Sequence, residues 1–68
     1  MRVKYFSDTD TVYMEFRDDF VHETIEIGEN IYIDVDKQGQ IVSMTIEHAI
    51  NNAGIREFSY QEILRQSA

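Results

Sequence analysis

Apolar and polar residues alternate with period two over the first two thirds of the chain, the signature of β-strands with one buried face. Val3 and Tyr5 alternate with Arg2 and Lys4, and Val12, Met14 and Phe16 alternate with Tyr13 and Glu15. Ile25 and Ile27 flank Glu26; Ile31, Ile33 and Val35 alternate with Tyr32 and Asp34; Val42, Met44 and Ile46 alternate with Ser43, Thr45 and Glu47. Residues that favour turns separate these runs at Ser7-Asp8-Thr9-Asp10, Arg17-Asp18-Asp19, Gly28-Glu29-Asn30 and Lys37-Gln38-Gly39-Gln40. The connections are too short for parallel crossovers, so the pattern predicts an antiparallel β-meander of about five strands.

Register follows from the requirement that the apolar sets share one face, because a one-residue slip exchanges the faces. Pairing Phe6 with Thr11 sets Tyr5 opposite Val12, Val3 opposite Met14 and, on the other face, Arg2 opposite Glu15. Pairing Lys37 with Gln40 across a two-residue turn sets Val35 opposite Val42, Ile33 opposite Met44 and Ile31 opposite Ile46. Pairing Ile27 with Ile31 sets Ile25 opposite Ile33. The register of the connection 17–22 stays open. The second sheet face then carries Lys4, Tyr13, Glu26, Tyr32, Asp34, Ser43, Thr45 and Glu47.

The period changes after Glu47. Ser59-Tyr60-Gln61-Glu62 reads as a capping box, in which the serine hydroxyl and the glutamate side chain satisfy the first free amides of a helix. Phe58, Tyr60, Ile63 and Leu64 supply an apolar stripe for a helix of about two turns over 59–66, which is unstable unless docked. The resulting expectation is one α+β domain over residues 1–68. It has a β-meander core over 1–50, a linker over 51–58, and a short C-terminal helix packing on one sheet face. Asn51-Asn52-Ala53-Gly54 reads as a hinge, so the helix could pack in its own chain or be exchanged in a dimer.

Size sharpens the dimer expectation. A chain of 68 residues buries only about 60% of its unfolded surface, and there is no cysteine to staple the fold or to serve as thiolate ligand or nucleophile. Self-association into a homodimer is the remaining way to add packing. Thirteen Asp and Glu against six Lys and Arg give a formal net charge of -7. Such a field repels phosphate backbones, so no nucleic acid is expected as a partner. The N-terminal residues lack an apolar leader and no run is long enough to span a bilayer, so neither a membrane nor export is expected and the cytoplasm is the default compartment.

Candidate chemistry is sparse. Asp34-x-Asp36-x-Gln38-Gly39 resembles the start of a calcium-binding loop, and Asp8 and Asp10 raise the same question. Thr45 stands where a bidentate glutamate is required, and the flanks read as strands, so these four aspartates serve hairpin turns first and weak divalent-metal ligation only as an alternative. His22 and His48 are isolated, no nucleophile elbow or phosphate-binding loop occurs, and no cofactor is implied. No catalytic residues are assigned, and the chain reads as non-enzymatic. The candidate interaction face is Tyr13, Glu26, Tyr32, Asp34 and Thr45, since tyrosines among polar groups suit protein recognition and the acidity suits a basic protein partner. A purely structural self-assembling module is the third reading.

A signature runs Tyr5-x-x-Asp8-x-Asp10-Thr11-Val12-Tyr13-Met14, Glu23-Thr24-Ile25, Ile31-Tyr32-Ile33-Asp34-Val35-Asp36, Gly39, Ile41-Val42 and Ile46-Glu47. Over roughly residues 1–50 it resembles the small prokaryotic domain-of-unknown-function family 2283. Phe16 stands where an aliphatic residue is commoner, and the residues from Asn51 onward lie outside the usual core. The resemblance implies no activity and no catalytic residues. Through the small toxin-like genes that often neighbour members, it implies an antitoxin-like role.

Overall fold

The computed structural model describes residues 1–65. Five strands, β1 (Arg2–Phe6), β2 (Thr11–Glu15), β3 (Glu23–Gly28), β4 (Ile31–Val35) and β5 (Ile41–Glu47), precede a one-turn helix α1 (Ala49–Ala53). All pairings are antiparallel, in the order β1-β2-β5-β4-β3. The first hairpin has the expected register throughout, with Arg2 opposite Glu15 and Phe6 opposite Thr11.

Strand order departs from a strictly sequential meander at one place. β2 lies beside β5, so β2 to β5 take a Greek-key order, and residues 16–22 pass the ends of β5 and β4 to reach β3 at the far edge. A short loop fixes that two strands run in opposite directions, but not that they are neighbours. Arg17 anchors the crossing. Its guanidinium donates to Asp36 Oδ2 at 2.7 Å, Gln40 Oε1 at 3.1 Å and the Ile41 carbonyl at 3.3 Å.

The β4–β5 turn also differs from expectation. The Asp36 amide donates to the Gln40 carbonyl, leaving a three-residue loop whose Gly39 has φ 80. Val35 therefore pairs with Ile41 rather than Val42. An odd loop alone would invert the faces of β5. The register shift between Asp34 and Val35 absorbs the extra residue, so Ile33 still meets Met44 and Ile31 still meets Ile46. In the β3–β4 hairpin a second shift makes Ile31 pair with Gly28 instead of Ile27, while Ile25 keeps Ile33.

The helix is displaced from its expected place. It follows β5 directly at Ala49–Ala53, within the segment read as core and hinge, and residues 54–65 form no helix. The last position of the expected span, 66, lies outside the described residues. Two features set the helix. Gly54, in the left-handed region at φ 66, sends its amide back to the Ile50 carbonyl in an αL cap, and the Ile55 amide reaches the Ala49 carbonyl behind it. At the other end Asp10, itself at φ 51, takes the Ala49 amide on its carbonyl and the Ile50 and Asn51 amides on its carboxylate. By contrast, the capping box at Ser59 has no surface beneath it, and Tyr60, Ile63 and Leu64 remain at least 75% exposed. Two turns without tertiary support do not hold a helix.

Burial is thin. Among the described residues the buried apolar side chains are Val12, Val35, Val42 and Ala49, so the core lies along β2, β5 and β4.

Candidate interaction surface

Register alone builds the polar face. The pairings line up Lys4, Tyr13, Thr45, Tyr32 and Glu26 as one row across all five strands. The next row runs Arg2, Glu15, Ser43, Asp34 and Thr24. Every residue of the expected interaction face therefore lies on one side, with Tyr13, Glu26, Tyr32 and Thr45 in a single line and Asp34 beside Tyr32. Tyr13, Tyr32, Asp34 and Thr45 are half-buried, and Glu26 is exposed.

Hydrogen bonds hold this face in place. Asp34 accepts from Thr24 Oγ1 at 2.6 Å and from Ser43 Oγ at 2.5 Å, bridging the strands on either side. Ser43 has no exposed surface, so its hydroxyl depends on that carboxylate. Attraction of its hydroxyl proton to the Glu47 carboxylate holds the Tyr32 phenol above its ordinary value. Tyr32 thus stays a neutral hydrogen-bonding aromatic across the physiological range.

The four candidate metal ligands are not brought together. Asp8 is exposed in the β1–β2 turn, and Asp10 beside it is committed to the start of α1 and to the Tyr5 hydroxyl, which donates to it at 2.9 Å. The Ile50 amide is the main cause of a lowered Asp10 pKa, reinforced by Tyr5 and the Asn51 amide. The Tyr5 phenol is raised in turn by its bond to Asp10. Asp36 lies at the opposite end of the sheet. It is buried beneath the β4–β5 turn, where the Gln38 and Gln40 amides donate to Oδ1 and Arg17 to Oδ2. The Gln40 amide, with Arg17 and the Gln38 amide behind it, holds its pKa below the usual carboxylate value. Asp34 and Asp36 share none of these partners. Among the described residues, no three His, Cys, Asp or Glu side chains are grouped so as to hold a metal ion.

Sequence reasoning placed Asp10 and Asp36 in turns but did not see what they tie down. Asp10 reaches across 40 positions to Ile50, and Asp36 across 19 to Arg17, distances at which no local pattern signals a partner. Asp10 and His48 both adopt the left-handed conformation, which aspartate and histidine tolerate better than most side chains.

This geometry defines a small single-layer antiparallel sheet with one polar, tyrosine-bearing face and one apolar face. The chain belongs to the family described as protein of unknown function (DUF2283), whose model matches residues 2–49 and therefore covers the whole sheet and the start of α1. No curated protein and no solved structure matches the chain. Among the described residues no helix is long and apolar enough to cross a membrane.

Proposed function

We propose that the chain is a non-enzymatic protein-interaction domain that presents its acidic, tyrosine-bearing sheet face to a basic protein partner. The observation supporting this reading is the alignment of Tyr13, Thr45, Tyr32 and Glu26 in one cross-strand row beside the Asp34 network. Tyrosine offers a large amphipathic contact with little side-chain entropy to lose, and strands fixed by hydrogen bonds need little reordering on binding. The net charge of -7 steers a cationic protein toward such a surface. A small basic toxin-like protein, neutralised by the contact, has the matching chemistry.

Co-expression with the product of the adjacent gene, followed by pull-down and titration, tests the reading. A complex in the micromolar range or tighter is expected, weakened about tenfold or more by Tyr13→Ala combined with Tyr32→Ala. No complex at micromolar concentration, or full affinity in the double variant, contradicts it.

A further inference from the structure

The other face of the sheet is built differently, and what it needs goes beyond the proposed function. Its rows are Tyr5, Val12, Ile46 and Ile31, then Val3, Met14, Met44, Ile33 and Ile25. Domains bury such a face against a second layer of secondary structure. Among the described residues, only the one-turn α1 and the start of the C-terminal segment lie against it. They lie over one side, where Ile50, Ile55 and Phe58 border an open groove of about 260 Å3 with Val3, Tyr5 and Val12. Across the sheet Ile25 is 43% exposed, and Met14, Ile33 and Met44 are only half-buried.

The exposed area leaves room for such a layer. A compact monomer of 8.0 kDa exposes about 4,450 Å2 by the surface scaling of folded proteins, whereas this chain exposes 5768 Å2. The excess of about 1,300 Å2 is shared between the apolar face, the connection at Phe20 and the C-terminal segment carrying Tyr60, Ile63 and Leu64, against about 800 Å2 per partner in a standard stable interface.

We propose that the occupant of the apolar face is a second copy of this chain, the two sheets packing face to face with each C-terminal segment laid across the seam. A second copy offers what the area requires, a flat apolar sheet of the same extent, and two such sheets stack about 10 Å apart as a sandwich. The charges favour this geometry over the sheet edges. Two β1 edges brought together gather Arg2 and Lys4 of both copies along one seam, and two β3 edges gather Glu23 and Glu26, so like charges oppose homotypic edge pairing. Face-to-face stacking instead leaves the polar rows outside. Phe58, Ile63 and Leu64, each at least half exposed in the single chain, gain an apolar surface to lie on. The assembled pair presents two Tyr13–Tyr32 faces, pointing outward on opposite sides.

Sedimentation equilibrium on the full chain, together with isotope-filtered NOE spectra of mixed labelled and unlabelled protein, tests the proposal. The expected mass is twice 8.0 kDa at micromolar concentration, with intermolecular NOEs among Ile25, Ile33 and Met44 and none from Tyr13 or Tyr32. Ile25→Glu is expected to halve the mass, and Thr45→Glu on the polar face to leave it unchanged. A monomer at every concentration, a folded Ile25→Glu dimer, or intermolecular NOEs through the β1 edge, the β3 edge or the tyrosines overturns it. Failure here leaves the tyrosine face untouched. Equally, a dimer that binds no basic protein removes only the proposed function.

Discussion

The two faces of this sheet share a backbone and differ in what completes them. The polar face is finished within the chain: Asp34 satisfies Thr24 and the wholly buried Ser43, and charged residues border the tyrosine row. The apolar face leaves large side chains half-open to solvent, with Ile25 43% exposed. Cross-strand hydrogen bonds complete themselves locally, whereas hydrophobic burial needs a second surface.

The sharpest way to break the comparison is to place one side chain on each face at adjacent positions. Met44→Lys puts a charge into the apolar face beside Ile33 and Met14, and is expected to cost about 3 kcal/mol or more in chemical denaturation. Thr45→Lys, one residue on, should stay within about 0.5 kcal/mol. Equal effects would mean that the faces are not distinct. A smaller loss is expected from Val42→Ala, which empties a fully packed position. About 2 kcal/mol, or roughly 10 °C in Tm, follows from the lost methyl groups and the cavity they leave. On the polar face Asp34→Ala strands the Ser43 hydroxyl and should cost about 1 to 2 kcal/mol, most of it recovered when Ser43→Ala is added. A double-mutant cycle without coupling would remove Asp34 from its bridging role.

These contrasts also show what the sequence could carry. The strands, their inward residues and the first hairpin register were legible because period-two alternation and turn residues act between neighbours. The adjacency of β2 and β5 was not, because the short 16–22 connection states direction without stating position. The capping box at Ser59 and Glu62 was a sound local signal that lacked a tertiary surface, while the actual helix depends on Asp10, 40 positions away, and on Gly54. The shared facing of Tyr13 and Tyr32 was legible for the same reason as the strands: it follows from register and needs no distant partner. The compensating bulge near Val35 was hidden because an odd loop and an extra strand residue cancel in the final facing of Met44.

Acid and alkali probe the ends of the sheet more gently. Asp10 and Asp36 both have folded pKa values below the ordinary one, so their contribution is complete above pH of about 4 and is lost as pH falls through the lowered values. Tyr5 and Tyr32 are raised, so their contribution is complete below pH of about 10 and is lost as pH rises through the raised values. Thermal melts across pH should show a plateau between these limits, and Asp36→Asn should flatten the acid limb without moving the alkaline one. Smallest of all is the exposed Arg2–Glu15 pair at 3.9 Å, where Arg2→Ala should change stability by less than about 0.5 kcal/mol.

Hydroxyl-radical footprinting of the full chain, read by mass spectrometry, compares the two faces directly. If the apolar face is covered by a second copy, Met14 and Met44 are oxidised more slowly in the native chain than in the Ile25→Glu variant, while Tyr13 and Tyr32 are labelled equally in both. Equal oxidation of Met14 and Met44 in the two proteins, or protection of the tyrosines in their place, would contradict the account.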